Sequence, residues 1–325
     1  MTAADPQIAA IREAAGAHVA PLLADVEACL GRVADAQGPQ LGPHARATIA
    51  AGGKRLRPLL VILAAGDVPA SSHPALVRAA AAVELVHVAT LVHDDVLDNA
   101  ALRRGQPTVF ASAGRAAAVQ TGDALFAAAF LLLIDNESVA QVRALASAGA
   151  ALAEGELLQR SDAWDAAISV DRYLHRCGLK TARLFEAACA LGSAVRGEES
   201  TALERYAQQI KLAFQILDDV LDIEGPPEVT GKHRGTDLRD GTVTLPFLLA
   251  RATEPELGAL DLRAVTTADE AEELCARIIA TGATQESRRL ALQHVAQAKA
   301  AIPVGDETRA HALTLVADSV VARYS

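Results

Sequence analysis

The chain has 325 residues, 51% of them hydrophobic and 3% aromatic, with a formal net charge of -10. That length holds one large core, or two domains of roughly 150 residues each, and the acidic balance argues against general nucleic-acid binding, which needs a basic footprint. Cys29, Cys177, Cys189 and Cys275 are isolated, so neither a zinc site nor a disulfide framework is indicated, and all four read as buried small hydrophobes.

The amino-terminal stretch is polar and acidic, with no signal-like apolar core. Ile8 to Leu30 follows helical period, with Ile8, Ile11, Ala15, Val19, Leu22, Val26 and Leu30 along one stripe; Pro21 is expected to kink or divide the helix. Gly38-Pro39 reads as a turn before a helix over His44 to Ala50, which ends at Gly52-Gly53. Pro58 suits the first turn of a helix running through Leu59 to Ala65. Pro69 to Pro74 is read as a loop, Ala75 to Asn99 as a long helix, and Arg103 to Pro107 as a polar loop. Helices follow over Ala116 to Leu133, Ser138 to Gln159, Val170 to Leu191 and Glu199 to Ile223. The apolar run Leu125 to Ile134 reads as too short to span a bilayer, so no transmembrane segment is expected and the default location is cytoplasmic. Gly225 to Gly241 is a long, charged, Gly/Pro-punctuated stretch, read as an ordered functional loop. Thr244 to Ala252, Ala268 to Thr281, Thr284 to Ala301 and Thr308 to Tyr324 complete the chain helically. No alternating strand run is evident, and a single all-α domain over residues 1–325 is the economical reading.

One motif occurs twice. Asp94-Asp95-Val96-Leu97-Asp98 and Asp218-Asp219-Val220-Leu221-Asp222 each end a long apolar helix. Spacings of three and four put the carboxylates of each copy on one side of its helix. Like charges at a helix C-terminus are unfavourable without a counter-charge. Mg²⁺ suits such sites, because it takes carboxylate oxygens, keeps waters and is completed by substrate phosphates. A solvated acidic helix end explains one copy more readily than two. Basic clusters accompany the acids. Gly52-Gly53-Lys54-Arg55-Leu56-Arg57-Pro58 is not a P-loop, but Lys54 and Arg57 can clamp one anion. Arg103 and Arg104 follow the first motif, and His87 lies two turns before Asp94. Lys180-Thr181 and Gln215 are polar groups inside apolar helices, where they need partners. Lys232, His233, Arg234, Asp237 and Arg239 populate the long loop and suit a lid that excludes water.

In this order the residues strongly resemble the trans-isoprenyl diphosphate synthases, the polyprenyl synthetase family. The resemblance runs from Gly52 through the carboxy-terminal helices and rests on Gly53-Lys54-x-x-Arg57-Pro58, Asp94-Asp95-x-x-Asp98, Arg103-Arg104-Gly105-x-Pro107-Thr108, Lys180-Thr181, Gln215-x-x-Asp218-Asp219-x-x-Asp222, Gly231-Lys232 and Asp237-Leu238-Arg239-Asp240-Gly241. It implies a single large helical bundle of the isoprenoid synthase type with a central substrate cavity, and a homodimer. It further implies three Mg²⁺ ions held chiefly by Asp94, Asp98 and Asp218, with Asp95, Asp219 and Asp222 adding ligands or supporting contacts. With Arg103, Lys180 and Lys232 the metals would hold an allylic diphosphate, whose C–O bond ionises. Isopentenyl diphosphate would bind at Lys54, Arg57, His87 and Arg104 and attack the allylic cation head-to-tail, with departing pyrophosphate as base. Thr181 and Gln215 would stabilise the cation through their oxygens.

In this family, large side chains four or five positions before the first aspartate motif stop the growing tail. Here they are Ala89 and Thr90, which implies products of twenty carbons or more. Val86, Phe126 and Phe130 offer a deeper floor, the two phenylalanines serving equally well as plain core residues. Geranylgeranyl and longer polyprenyl products both survive. The alanine-heavy stretch from Ala111-Ser112-Ala113-Gly114-Arg115 to Gly122-Asp123 departs from the family pattern, where relatives often carry a Trp-Gly or Phe-Gly pair and an Asn, although Gly122-Asp123 is retained. Terpene cyclases, which usually lack the second motif and the Gly-Lys-x-x-Arg clamp, and non-catalytic subunits of heteromeric synthases, which tend to lose one motif, are the rival classes.

Overall fold

The structure is a computed structural model and describes residues 6–51, 53–226 and 233–322. Among these the chain is all-α apart from one two-stranded hairpin. It divides into two compact units, one formed by Met1–Gly149, Leu184–Glu204 and Pro303–Leu315, the other by Ala150–Arg183, Arg205–Ile302 and Val316–Ser325.

In the first unit, α1 (Pro6–Ala14), α2 (Val19–Ala36) and Ala15 between them bury the whole stripe predicted from Ile8 to Leu30. The division falls at Gly16, whose φ of 102° suits glycine, and not at Pro21. Pro21 lies in the first turn of α2, where its missing N–H leaves no helical bond unmade. Gly38-Pro39 likewise opens a helix, α3 (Gly38–Ala50), six residues before the predicted start. The helix α4 (Leu56–Ala65) is buried from Pro58 to Ala65, as an apolar-all-round helix must be. It packs against α5 (His73–Leu97), and Gly192 of α9 (Arg183–Arg196) meets it so closely that a Cβ would strike the Val61 carbonyl.

Helix α6 (Val109–Ile134) starts seven residues earlier than predicted and kinks at Gly114, where φ is 86°. It packs along α5, and the side chain of His93 occupies the space that a Cβ on Gly122 would need. The run Leu125 to Ile134 therefore belongs to a 26-residue helix, which corrects the argument from its shortness. By length and composition both 70–97 and α6 could cross a bilayer; 67% and 39% of their most apolar windows are buried in protein. The outer face of α6 also carries exposed Arg115, Gln120 and Asp123. Between α5 and α6, β1 (Leu102–Arg103) pairs antiparallel with β2 (Gln106–Pro107), Arg103 opposite Gln106. The two turn residues, Arg104 and Gly105, both have positive φ, as a two-residue type I′ hairpin requires.

Helix α7 (Val139–Ser161) follows, then α8 (Val170–Cys177), a π-helical turn over Gly178–Ala182, and α9. The single helix predicted over Val170 to Leu191 is thus interrupted at Lys180-Thr181. In the second unit, α10 (Thr201–Glu224) carries the second aspartate motif near its end. A short helix, α11 (Thr236–Arg239), lies within the stretch predicted as a loop, and α12 (Leu245–Thr253), α13 (Pro255–Gly258), α14 (Ala268–Ala280) and α15 (Ala283–Ala300) follow. Helix α16 (Glu307–Ala322) ends the described chain. Trp164, the sole tryptophan, donates its backbone N–H to the Gly241 carbonyl at 2.9 Å; its indole fills the space that a Cβ on Gly241 would take. All four cysteines are free and buried.

Candidate active site

In the first unit, α5 brings Val86, His87, Ala89, Thr90, Asp94 and Asp95 onto one element, and Asp98 caps it. The middle aspartate is the buried one. Asp95 is 4% exposed and accepts from Arg103 Nε at 2.7 Å, whereas Asp94 is half-buried and Asp98 exposed. Thr108 fixes the hairpin that carries Arg103: its hydroxyl donates to the Ala100 carbonyl at 2.6 Å and accepts from the Ala111 N–H at 3.0 Å as the N-cap of α6. His93 Nε2 lies 3.3 Å from an Asp123 carboxylate oxygen, joining α5 to α6.

The basic cluster has a built support. Arg55, at a φ of 49°, turns inward before α4. It pairs with Glu27 at 2.5 Å and with the 4%-exposed Glu84 at 2.8 Å, and donates to the Ile49 carbonyl. Burial works against its charge, yet the hydrogen bonds and fields of these two glutamates outweigh it and raise its pKa. Lys54 stays exposed, and Arg57 is half-buried over the Phe185 ring, 4.9 Å from the centroid. Burial pulls Arg57 down to about 10; the Arg104 charge adds to this and Glu84 opposes it. Its Nε is buried without a hydrogen-bond partner. The Arg104 guanidinium lies over Gly53, 3.2 Å from where a Cβ would be, and Nη1 donates to the Ala51 carbonyl at 3.4 Å. Two under-neutralised guanidiniums side by side suit an anion.

Along α5, Val86 and Ala89 are fully buried, and His87 and Thr90 are half-buried. The Thr90 hydroxyl is satisfied by the His87 carbonyl at 2.8 Å, which leaves a small side chain without an unmet donor. Phe126 and Phe130 pair at 5.5 Å, and Phe126 also packs on Gly149, its ring 2.8 Å from where a Cβ would stand.

In the second unit the pattern recurs. Asp219 is 2% exposed, while Asp218 and Asp222 are half-buried. Asp219 accepts from the Tyr173 hydroxyl at 2.6 Å on Oδ2 and from Gln215 Nε2 at 2.9 Å on Oδ1. Burial, with repulsion from Asp237 and Asp218, pushes its carboxyl up to about 7 against those two hydrogen bonds. The long loop returns to this motif: Gly235 N–H donates to the Asp222 carbonyl at 2.9 Å, and Asp237 N–H to Asp222 Oδ2 at 3.2 Å. Arg234 pairs with Glu272 at 3.0 Å, and the Nε atoms of Arg234 and Arg239 are buried without hydrogen-bond partners. Lys180 and Thr181 sit in the π-helical turn, a feature frequent at functional sites. Lys180 Nζ pairs with Glu156 at 2.6 Å, and the Thr181 hydroxyl donates to the Cys177 carbonyl at 2.6 Å. Lys232 lies outside the described residues.

Among the described residues no group of three or more His, Cys, Asp or Glu side chains forms a ready metal cage. Sequence reasoning missed Glu84 and Tyr173, and named Arg55 in the basic cluster without a role. Glu84 is a lone acid in the apolar run Ala79 to Val88, and Tyr173 lies two helical turns before Lys180; both signals are faint.

The chain matches the polyprenyl synthetase family over residues 39–281. It is 40% identical to octaprenyl diphosphate synthase of Escherichia coli (strain K12) over 205 residues, 62% of this chain; the match spans only 63% of that relative's length. With geranylgeranyl diphosphate synthase of Methanosarcina mazei it shares 34% identity over 87% of this chain and 90% of that one. The crystal structure of a polyprenyl synthase from Caulobacter crescentus, complexed with calcium and isoprenyl diphosphate, superposes with a TM-score of 0.82 at 36% identity, covering 98% of each chain. The helical bundle is that of the isoprenoid synthases. The chain belongs to the polyprenyl synthetase family, the trans-isoprenyl diphosphate synthases.

Proposed function

We propose that the protein is a Mg²⁺-dependent trans-prenyltransferase that adds isopentenyl diphosphate head-to-tail to an allylic diphosphate and releases pyrophosphate. The observation that carries this is the repeated aspartate geometry: in each motif the middle carboxylate is buried and tied to protein donors, and the flanking two are more exposed. Asp94, Asp98 and Asp218 are the chief metal ligands, three ions per site, with Asp222 supporting. Bound magnesium would neutralise the allylic diphosphate and make it a leaving group. Arg103, Lys180 and Lys232 hold that diphosphate, Lys180 exchanging Glu156 for it. Lys54, Arg57, His87 and Arg104 hold isopentenyl diphosphate, for which the orphaned Arg57 Nε is the specific support. Thr181 and Gln215 turn oxygens to the allylic cation. The Gly235 to Arg239 segment, anchored on Asp222, excludes water that would quench it.

The product has twenty carbons or more, and we favour a medium or long polyprenyl diphosphate. The small, satisfied side chains Ala89 and Thr90 support this, and the placement of Phe126 against Gly149 favours a packing role for that ring. A geranylgeranyl product is the second reading, favoured by the bulk of Val86 one turn below. The active form is a cytoplasmic homodimer, each chain one isoprenoid synthase domain. Incubation with Mg²⁺, isopentenyl diphosphate and each allylic primer in turn, followed by measurement of product length, tests the whole reading. Prenyl products longer than fifteen carbons, abolished by a chelator, are expected. No product with any primer would sink the activity, and a stop at fifteen carbons would sink the role given to Ala89 and Thr90.

A further inference from the structure

Gln215 has two chemically opposite ends, and a freely rotating amide would present either. In the second unit it is not free. Its Nε2 donates to Asp219 Oδ1, and Asp219 Oδ2 is taken by the Tyr173 hydroxyl. Tyr173 is 1% exposed, on α8, and its hydroxyl donates to the carboxylate. The donors therefore run in one direction towards Asp219, and the carboxylate accepts on both oxygens. With Oδ1 taken by Nε2 and Oδ2 by the Tyr173 hydroxyl, Gln215 is held by its NH₂ end.

We infer that Tyr173 is a positioning residue, acting through Asp219 to lock the Gln215 amide with Nε2 inward, so that Oε1 is the end presented to the developing allylic cation. This rests on the proposed prenyl transfer and deepens it: Asp219 is a brace on the α8 side of α10 and not a metal ligand. A wrongly turned amide would put an N–H dipole towards a cation, which raises the barrier without altering how either diphosphate is held.

The test uses the full-length protein and the variants Tyr173→Phe, Gln215→Leu, their double, and Asp218→Asn, with circular dichroism to verify folding. Tyr173→Phe is expected to lower kcat about 10- to 100-fold while KM for both diphosphates stays within about twofold. Because Tyr173 acts through Gln215, the double variant should be no slower than Gln215→Leu alone. Mn²⁺ affinity in the presence of pyrophosphate, read by calorimetry, should change less than about threefold in Tyr173→Phe and more than about tenfold in Asp218→Asn. Side-chain amide NMR, with Gln215 assigned by its loss in Gln215→Leu, should show a protected signal that moves in Tyr173→Phe. Wild-type turnover in Tyr173→Phe, additive losses in the double variant, or an unmoved amide signal each overturns the inference. If the wild type makes no prenyl product, the proposed function fails, and the amide signal and metal affinity still decide the brace.

Discussion

Arg57 and Arg55 are two residues apart and behave as opposites. Arg55 is saturated by Glu27, Glu84 and a backbone carbonyl, whereas Arg57 keeps a buried Nε without a partner and sits beside the Arg104 charge. A cation held short of partners favours a ligand at the expense of the empty protein. Arg57→Met should therefore leave the unliganded melting temperature equal or higher, while KM for isopentenyl diphosphate rises about 10- to 100-fold, roughly 1.4–2.8 kcal/mol; a melting temperature that falls together with binding would assign Arg57 a structural role. Arg55→Ala should do the reverse. It strips buried Glu84 of its counter-charge, a loss of about 3–5 kcal/mol readable by denaturant unfolding, and it weakens substrate binding only through the displaced Lys54 and Arg57. The sequence shows three cations within four residues after two glycines; which of them faces inward depends on Glu84, twenty-nine residues from Arg55, and no local pattern reveals that.

At the scale of the element, the apolar stripes made most helices legible, and the misreadings share a cause. Pro21 and Pro39 were expected to break or precede helices, yet each lies in a first turn, where proline costs nothing. The real breaks come from Gly16 and from the π-helical turn at Gly178–Ala182, which has no propensity signature. That turn is seated on Gly155 of α7, where a Cβ would come within 2.5 Å of the Lys180 backbone nitrogen. Gly155→Ala must shift backbone rather than a side chain. A displacement near 1 Å of Lys180 and Thr181 should cost about 100-fold in kcat, with a much smaller change in melting temperature; steady-state kinetics beside thermal unfolding checks this, and unaltered turnover would detach the π-helical turn from the chemistry.

For the whole molecule, the family and its motifs were readable because their residues stand in fixed order. Partner faces were not readable, because an apolar stripe looks the same whether it meets its own chain or another. The amino-terminal stripe from Ile8 to Leu30 is core. The end of α6 and the start of α7 instead expose Leu131 (64%), Ile134 (59%) and Val139 (72%). These side chains are the face on which the proposed homodimer is tested. Sedimentation should give twice the 33.7 kDa chain mass for the wild type and a single chain for Leu131→Glu/Ile134→Glu, with the helical circular dichroism retained; a variant that stays dimeric would move the interface elsewhere. The lone indole of Trp164 holds a further practical consequence. It is stacked on Gly241, where the long loop after the second aspartate motif ends, so the protein's entire tryptophan emission originates at that junction. Any rearrangement there on adding pyrophosphate with a divalent ion would change the colour or yield of that emission, and the unlabelled natural chain can be followed in a stopped-flow fluorimeter without introducing a dye.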